Sequence, residues 1–220
     1  MGNGRNFEEM CRSNRKVRWG YFLCIPEGVY DPSDDTYMIL EYLSSHPEIV
    51  KNKKVLDIGT GSGIIALHSL VLGASDVVAT DVNCLASYST CLNLSSFDKQ
   101  QERFSVVIGN KVTFLRSRSG FDTIIINPPY LPIEPKNAND PFELQWAGGK
   151  EGIDFSLSIL DEIPEILSSG GTLLLVSSSL GNLEILYRKM SEIDMKFGIV
   201  SSKSFFFEDL YLIKGEKNGY

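Results

Sequence analysis

The chain has 220 residues, 43% of them hydrophobic, which suffices for one well-packed α/β domain and is too short for two large ones. It contains no apolar run of the roughly 18 residues that a membrane helix needs, and no apolar stretch follows the basic N-terminus as in a secretory leader, so the expectation is a soluble cytoplasmic protein. The net charge is −7, but the first 20 residues hold five basic and two acidic side chains, which leaves the body near −10 and argues against duplex DNA as a partner.

Cysteines 11, 24, 84 and 91 show no C-x-x-C spacing and are expected to be free thiols in a reducing compartment. With only His46 and His68, far apart in sequence, no metal site is predicted.

In chain order, residues 1–28 read as a basic N-terminal segment ahead of a single domain over 29–220. Solvation and partial disorder are expected there, with RNA contact as the alternative. Arg18 to Ile25 alternates as a strand does and Pro26-Glu27-Gly28 suggests a turn, giving a hairpin or an edge extension. Val29-Tyr30-Asp31-Pro32-Ser33-Asp34-Asp35-Thr36 then leads through capping residues into an amphipathic helix ending near Leu43.

Apolar strands near 53–58, 76–80, 104–109, 121–126 and 170–178 alternate with helical patterns near 62–73, 83–95, 152–168 and 180–193. Two last strands, near 196–202 and 206–213, complete the pattern. The prediction is an α/β fold of Rossmann-like type: a doubly wound, mostly parallel, seven-stranded sheet with an antiparallel edge.

The chemistry sits where strands end. Lys54-Val55-Leu56-Asp57-Ile58-Gly59-Thr60-Gly61-Ser62-Gly63 is a strand, a glycine loop and a helix start. Glycine lets a ligand approach the backbone and the loop delivers it to a helix N-terminus. The G-x-G-x-G spacing differs from the dinucleotide G-x-G-x-x-G, and the lysine of a P-loop is missing. Asp57 would repel a pyrophosphate and hold an ammonium group, so a cationic cofactor with an amino-acid end fits better. Asp81 closes the second strand, 24 residues on, where a carboxylate accepts ribose hydroxyls. It is equally placed to cap the helix that starts near Asn83, and the two roles are compatible. Cys84 and Cys91, seven apart on that helix, suggest core packing.

Ile124-Ile125-Ile126-Asn127-Pro128-Pro129-Tyr130 is an apolar strand ended by two residues that cannot continue a ladder. The Pro128 carbonyl and the Asn127 amide can grip an NH2 group on a planar carbon, and Tyr130 can cover it. Leu131 to Glu151 is too long for a plain connection. It carries Asn137 and Asn139, then Gln145-Trp146-Ala147-Gly148-Gly149-Lys150-Glu151-Gly152, a segment read as a substrate loop in which Trp146 either gates the mouth or packs the loop down.

Together the glycine loop, the acid of the second strand and the Asn-Pro-Pro-Tyr exit resemble the class I S-adenosylmethionine-dependent methyltransferases that act on planar NH2 nitrogens. With Val29 to Thr36 before them and Trp146 to Gly152 after, the order is similar to the HemK family of protein glutamine methyltransferases, in its eukaryotic and archaeal branch. The resemblance spans roughly residues 29 to 214.

It implies transfer of a methyl group from S-adenosyl-L-methionine, leaving S-adenosyl-L-homocysteine, to the Gly-Gly-Gln glutamine of a class 1 peptide release factor. It also implies that a small zinc-binding activator subunit can take part. By position, Thr36, Asp57, Gly59, Gly61, Gly63, Asp81, Asn110 and Asn127 would hold the cofactor, and Asn127, Pro128, Pro129 and Tyr130 would form the catalytic rim. The family has an acidic residue for the adenine amine where this chain has Asn110, whose carbonyl can still accept. The final hairpin departs as well, with Ser204-Phe205-Phe206-Phe207-Glu208 in place of an Arg and Ala-Gly lead-in. Adenine-N6 or guanine-N2 methylation of RNA, and lysine methylation of a protein, are the rival activities, because a base presents the same flat NH2 group.

Overall fold

The computed structural model describes residues 9, 11–100, 102–113, 115, 120–137 and 141–219, with the side chains of 141 and 142 left aside. A short hairpin, β1 (Arg15–Arg18) and β2 (Tyr21–Cys24), precedes helix α1 (Asp34–Ser45) and a 3-10 turn at Pro47–Ile49. The sheet strands follow as β3 (Lys54–Ile58), β4 (Asp76–Asp81), β5 (Phe104–Ile108), β6 (Phe121–Ile126), β7 (Leu167–Ser178), β8 (Met195–Ser204) and β9 (Asp209–Lys217). Between them lie α2 (Ile64–Val71), α3 (Cys84–Phe97), α4 (Pro141–Leu144), α5 (Asp154–Leu160), α6 (Ile163–Ile166) and α7 (Leu183–Glu192).

Strand order is β5-β4-β3-β6-β7-β9-β8. The five strands from β5 to β7 are parallel, and β9 joins β7 and β8 antiparallel. The seven-stranded sheet with an antiparallel edge therefore forms as its sequence pattern predicts. Strands buried on both faces need apolar side chains at successive positions, and Ile124, Ile125 and Ile126 are fully buried. Ile125 and Leu174 pack with α1 and α2 on one face, while Ile124, Ile126 and Leu175 pack with α5, α6 and α7 on the other.

Three expectations change in detail. The hairpin turns at Trp19-Gly20, well ahead of the turn expected at Pro26-Glu27-Gly28. Both residues have positive φ, 51° and 80°, the geometry of the two-residue turn whose twist matches its strands. The helix expected over 152–168 is two helices, because Pro164 has no N–H to continue the first and instead starts α6. The cysteines are not all free: Cys11 and Cys24 form a disulfide across a Cα separation of 5.1 Å, and Cys84 and Cys91 are exposed rather than packed in the core.

Two of the basic N-terminal residues, Lys16 and Arg18, have partners as well. Arg18 grips both oxygens of Asp31 at 2.7 and 2.6 Å, and Lys16 adds a third contact at 2.9 Å. Burial pushes the Asp31 carboxyl up, but these cations outweigh it and hold it below the usual range. The hairpin is thus tied to the segment that delivers Tyr30 and Asp35 to the sheet. Among the described residues no helix is long and apolar enough to cross a membrane.

Candidate active site

A cavity of about 440 Å³ opens at the carboxyl ends of β3, β4 and β6. This is where an open α/β sheet offers a crevice, because β3 is the strand from which the chain winds in both directions. Among the described residues, three buried polar atoms without a hydrogen-bond partner gather at these ends, namely Asp57 Oδ1, Thr80 Oγ1 and Asn127 Oδ1. Buried polar atoms are nearly always paired, so three orphans at three adjacent strand ends mark a place built to receive a ligand.

The glycine loop forms the floor. Gly59, Gly61 and Gly63 have φ of 73°, 57° and 78°, a conformation that side chains rarely adopt. Gly63 has a second reason to be glycine, since a Cβ there would stand 2.7 Å from Thr90 Cγ2 of α3. Gly63 therefore sets how closely α2 and α3 pack, and it does not line the cavity.

Asp81 closes one side. Its carboxylate accepts from the N–H groups of Gly61 and Asn83, both at 2.9 Å. Asn83, not Asp81, caps α3, accepting from the N–H of Leu85 at 3.0 Å. Burial raises the Asp81 carboxyl, with these N–H groups opposing the rise. A carboxylate has about four acceptor positions, so Asp81 retains capacity toward the cavity it lines. Asp57 lies just behind the lining, almost fully buried, with one oxygen accepting from the Thr60 hydroxyl at 2.7 Å and the other an orphan. Burial pushes it up to about 7.

The opposite wall is built around a residue that motif reading passed over. Asp35 accepts from Tyr30 Oη at 2.7 and 2.8 Å, from Tyr130 Oη at 3.2 Å and from Asn127 Nδ2 at 3.1 Å. The Thr36 hydroxyl takes the other bond from Asn127 Nδ2, at 3.2 Å. Both donors of that amide are thereby engaged, which orients its carbonyl oxygen as the orphan acceptor beside Pro128. Burial, then the Asp35 charge, raise both tyrosine hydroxyls, so they stay protonated donors. Two tyrosines and an asparagine converging on one carboxylate was the available signal, but only the fold brings residues 30, 35, 127 and 130 together.

Gln145, Trp146 and Ala147 roof the cavity. The Leu131 N–H donates to the Trp146 carbonyl at 3.2 Å, and the Gly148 N–H to the Leu131 carbonyl at 2.8 Å. Trp146 meets Tyr30 edge to face at 5.2 Å, and Gln145 Nε2 donates to the Gly28 carbonyl at 2.8 Å. Gly148 and Gly149 stand behind this roof. A Cβ on Gly148 would press within 2.9 Å of the Leu131 carbonyl, and one on Gly149 would collide with the Asp154 carboxylate. They shape the loop and do not face the cavity. Asn139 falls outside the described residues. Asn110 lines the far end beside Lys111 and Phe155.

The family model described as ribosomal protein L11 methyltransferase (PrmA) matches residues 34–128. That stretch runs from α1 to the first proline of the exit, so it covers the glycine loop and Asp81 and leaves out the roof. Longer matches include the roof. A Methanocaldococcus jannaschii protein, provisionally named a protein N5-glutamine methyltransferase, is 29% identical over 84% of this chain and 90% of its own length. Mouse methyltransferase HEMK2 is 29% identical over 74% of this chain and 77% of its own. The chain is a methyltransferase, similar over most of its length to these relatives.

The structure of the E. cuniculi Mtq2-Trm112 complex, described as responsible for methylating the translation termination factor eRF1, is similar as well. It superimposes with a TM-score of 0.67 at 25% identity, covering 87% of this chain and 99% of the other. The Asn-Pro-Pro-Tyr exit occupies the carboxyl end of β6, with the Asn127 amide preset by Asp35 and Thr36.

Proposed function

We propose that this methyltransferase uses S-adenosylmethionine to methylate the glutamine side-chain amide of the Gly-Gly-Gln motif in a class 1 release factor. The single observation that carries the reading is the orphan Asn127 Oδ1 at the cavity that Pro128 also lines, an acceptor held ready for a planar NH2. The donor set also fits the cofactor. Gly59 and Gly61 give close backbone approach, Asp57 and Thr36 suit its amino-acid end, Asp81 its ribose, and Asn110 its adenine amine. When bound, S-adenosylmethionine supplies a methyl group on a positively charged sulfur, already a good electrophile.

The chain's own residues then bind and orient. An amide nitrogen is a poor nucleophile because its lone pair is delocalised into the carbonyl. Accepting its two N–H bonds at Asn127 Oδ1 and the Pro128 carbonyl favours a more pyramidal nitrogen and takes up its growing positive charge. Asp35 and Thr36 prevent the Asn127 amide from flipping, so the acceptor is in place before the substrate arrives. Tyr130 and Trp146 flank the amide and exclude water, and orientation supplies most of the rate. No general base is needed to start the reaction, because the proton leaves after the new bond forms. The roof beyond the shared cofactor half, and relatives named for N5-glutamine and eRF1 methylation, favour a protein amide over a base. The likeness to the Mtq2-Trm112 complex supports a small activator subunit working with this chain.

The test is transfer of labelled methyl to purified release factor beside its Gly-Gly-Ala variant and total tRNA, with and without an activator subunit. Label on the intact factor alone supports the reading, and label on tRNA or on the Gly-Gly-Ala variant refutes it.

A further inference from the structure

The turn between β8 and β9 carries three consecutive phenylalanines. Phe206 and Phe207 are 91% and 83% exposed, and Phe205 is 45% exposed. The two outer rings meet edge to face at 4.5 Å, so they form one ridge. The turn beneath is firmly held. The Phe205 N–H donates to the Glu208 carbonyl at 2.7 Å, and the Ser178 hydroxyl bonds Glu208 Oε1 at 2.6 Å. Exposed aromatic rings on a well-fixed turn gain nothing for folding, and such patches mark contact surfaces.

Two runs of contacts link the turn to the walls of the cavity. On one, the Ser179 N–H donates to the Asp209 carbonyl at 2.8 Å, which ties the turn to Leu180, itself 45% exposed, and Gly181. Gly181 in turn abuts Gly152, where a Cβ would lie 2.7 Å from the Tyr130 carbonyl. On the other, Lys203 reaches Asp34 at 3.7 Å and Glu41 at 3.4 Å on α1, the helix that carries Asp35. The Glu208 charge is among those felt by the Tyr130 hydroxyl. Around the rings the charge is acidic, with Asp34, Glu41, Glu208 and Asp209 set against Lys203.

We propose that Phe205, Phe206 and Phe207 form a docking ridge for the protein that carries the acceptor amide. The ridge seats against an apolar surface with a basic rim on that partner, next to its acceptor loop. The inference rests on the proposed function and deepens it, assigning affinity for the whole protein to the ridge and chemistry to the cavity. The acidic surround sets the ridge against anionic lipid, which attracts basic segments. Large aromatic rings buried at the centre of a protein contact supply much of its binding energy.

The experiment compares the wild-type enzyme with F206S/F207S, a change on an exposed turn, with the activator subunit supplied to both. Intact release factor, its methyl-inactive Gly-Gly-Ala variant and a short Gly-Gly-Gln peptide serve as probes. The ridge predicts KM for the intact factor and Kd for the Gly-Gly-Ala factor both raised about tenfold. It also predicts unchanged kcat at saturation and unchanged kcat/KM on the peptide. Unchanged KM and Kd on the intact factors overturn the ridge alone, as does an equal loss on the peptide. Wild-type enzyme that methylates no Gly-Gly-Gln substrate overturns the function and the ridge together. Loss in the variant of phospholipid-vesicle binding or of self-association, with factor binding intact, assigns the rings to another occupant and overturns the proposal.

Discussion

Replacing Asp57 by asparagine should stabilise the free protein while damaging its ligand site, and the size of the effect follows from burial. The carboxyl is fully buried, with one oxygen satisfied by Thr60 and the other by nothing, and its pKa rises from 3.8 to about 7. At about 1.4 kcal/mol per pH unit, the ionised form is penalised by up to about 4 kcal/mol. A raised carboxyl pKa means that the folded chain holds the proton more tightly than the unfolded chain. Its contribution to stability is therefore complete below about pH 4 and is lost as pH rises through about 7. Asparagine has no charge to desolvate, so Asp57→Asn should match the wild type near pH 4 and exceed it at pH 8, by about 2–4 kcal/mol. The assay is urea unfolding of both proteins from pH 4 to 8, beside calorimetry of S-adenosylmethionine binding at pH 8. Binding should weaken in the variant, because the carboxylate proposed to pair with the ligand's ammonium group is gone. A stability gap that stays flat with pH, or a variant that binds as tightly as the wild type, would refute the reasoning.

Asn127→Ala should lower kcat by about 10²–10³ with cofactor affinity largely retained, as expected when a transition-state acceptor is removed. Single-turnover transfer and calorimetry separate the two effects. Asp35→Ala leaves Tyr30, Tyr130 and Asn127 without their shared acceptor, and kcat should fall about tenfold or more through loss of orientation; steady-state kinetics on the intact factor measure it. Gly63→Ala combines a strained φ of 78° with a Cβ 2.7 Å from Thr90 Cγ2. It should cost about 2–4 kcal/mol in urea unfolding, from overpacking plus backbone strain.

The features legible in the sequence were those carried by neighbours along the chain. Apolar runs bounded by glycine and proline marked β3 and β6, and the glycine spacing with Asp81 marked the floor of the cavity. Features that depend on distant residues were not legible. Asp35 looks like one capping candidate among several in Ser33-Asp34-Asp35-Thr36, and its role appears only when β6 places Asn127 and Tyr130 beside α1. Gly148 and Gly149 read as ligand-facing because glycine next to a tryptophan suggests a mouth. Their reason is instead the close approach of the Leu131 carbonyl and Asp154. The Cys11–Cys24 pair lay beyond spacing rules because the hairpin turn that joins its two ends had been placed elsewhere. Pro164 was visible throughout, but the apolar periodicity continuing on both sides hid the break that it makes.

The target proposed for this enzyme is a side-chain amide nitrogen gripped by Asn127 and Pro128. Mass spectrometry of release factor treated with wild-type enzyme and with Asn127→Ala tests it most directly. N5-methylglutamine should appear at the Gly-Gly-Gln site with the wild type and not with the variant. Methyl groups found on lysine, or an Asn127→Ala enzyme that still modifies the glutamine at the wild-type rate, would contradict it.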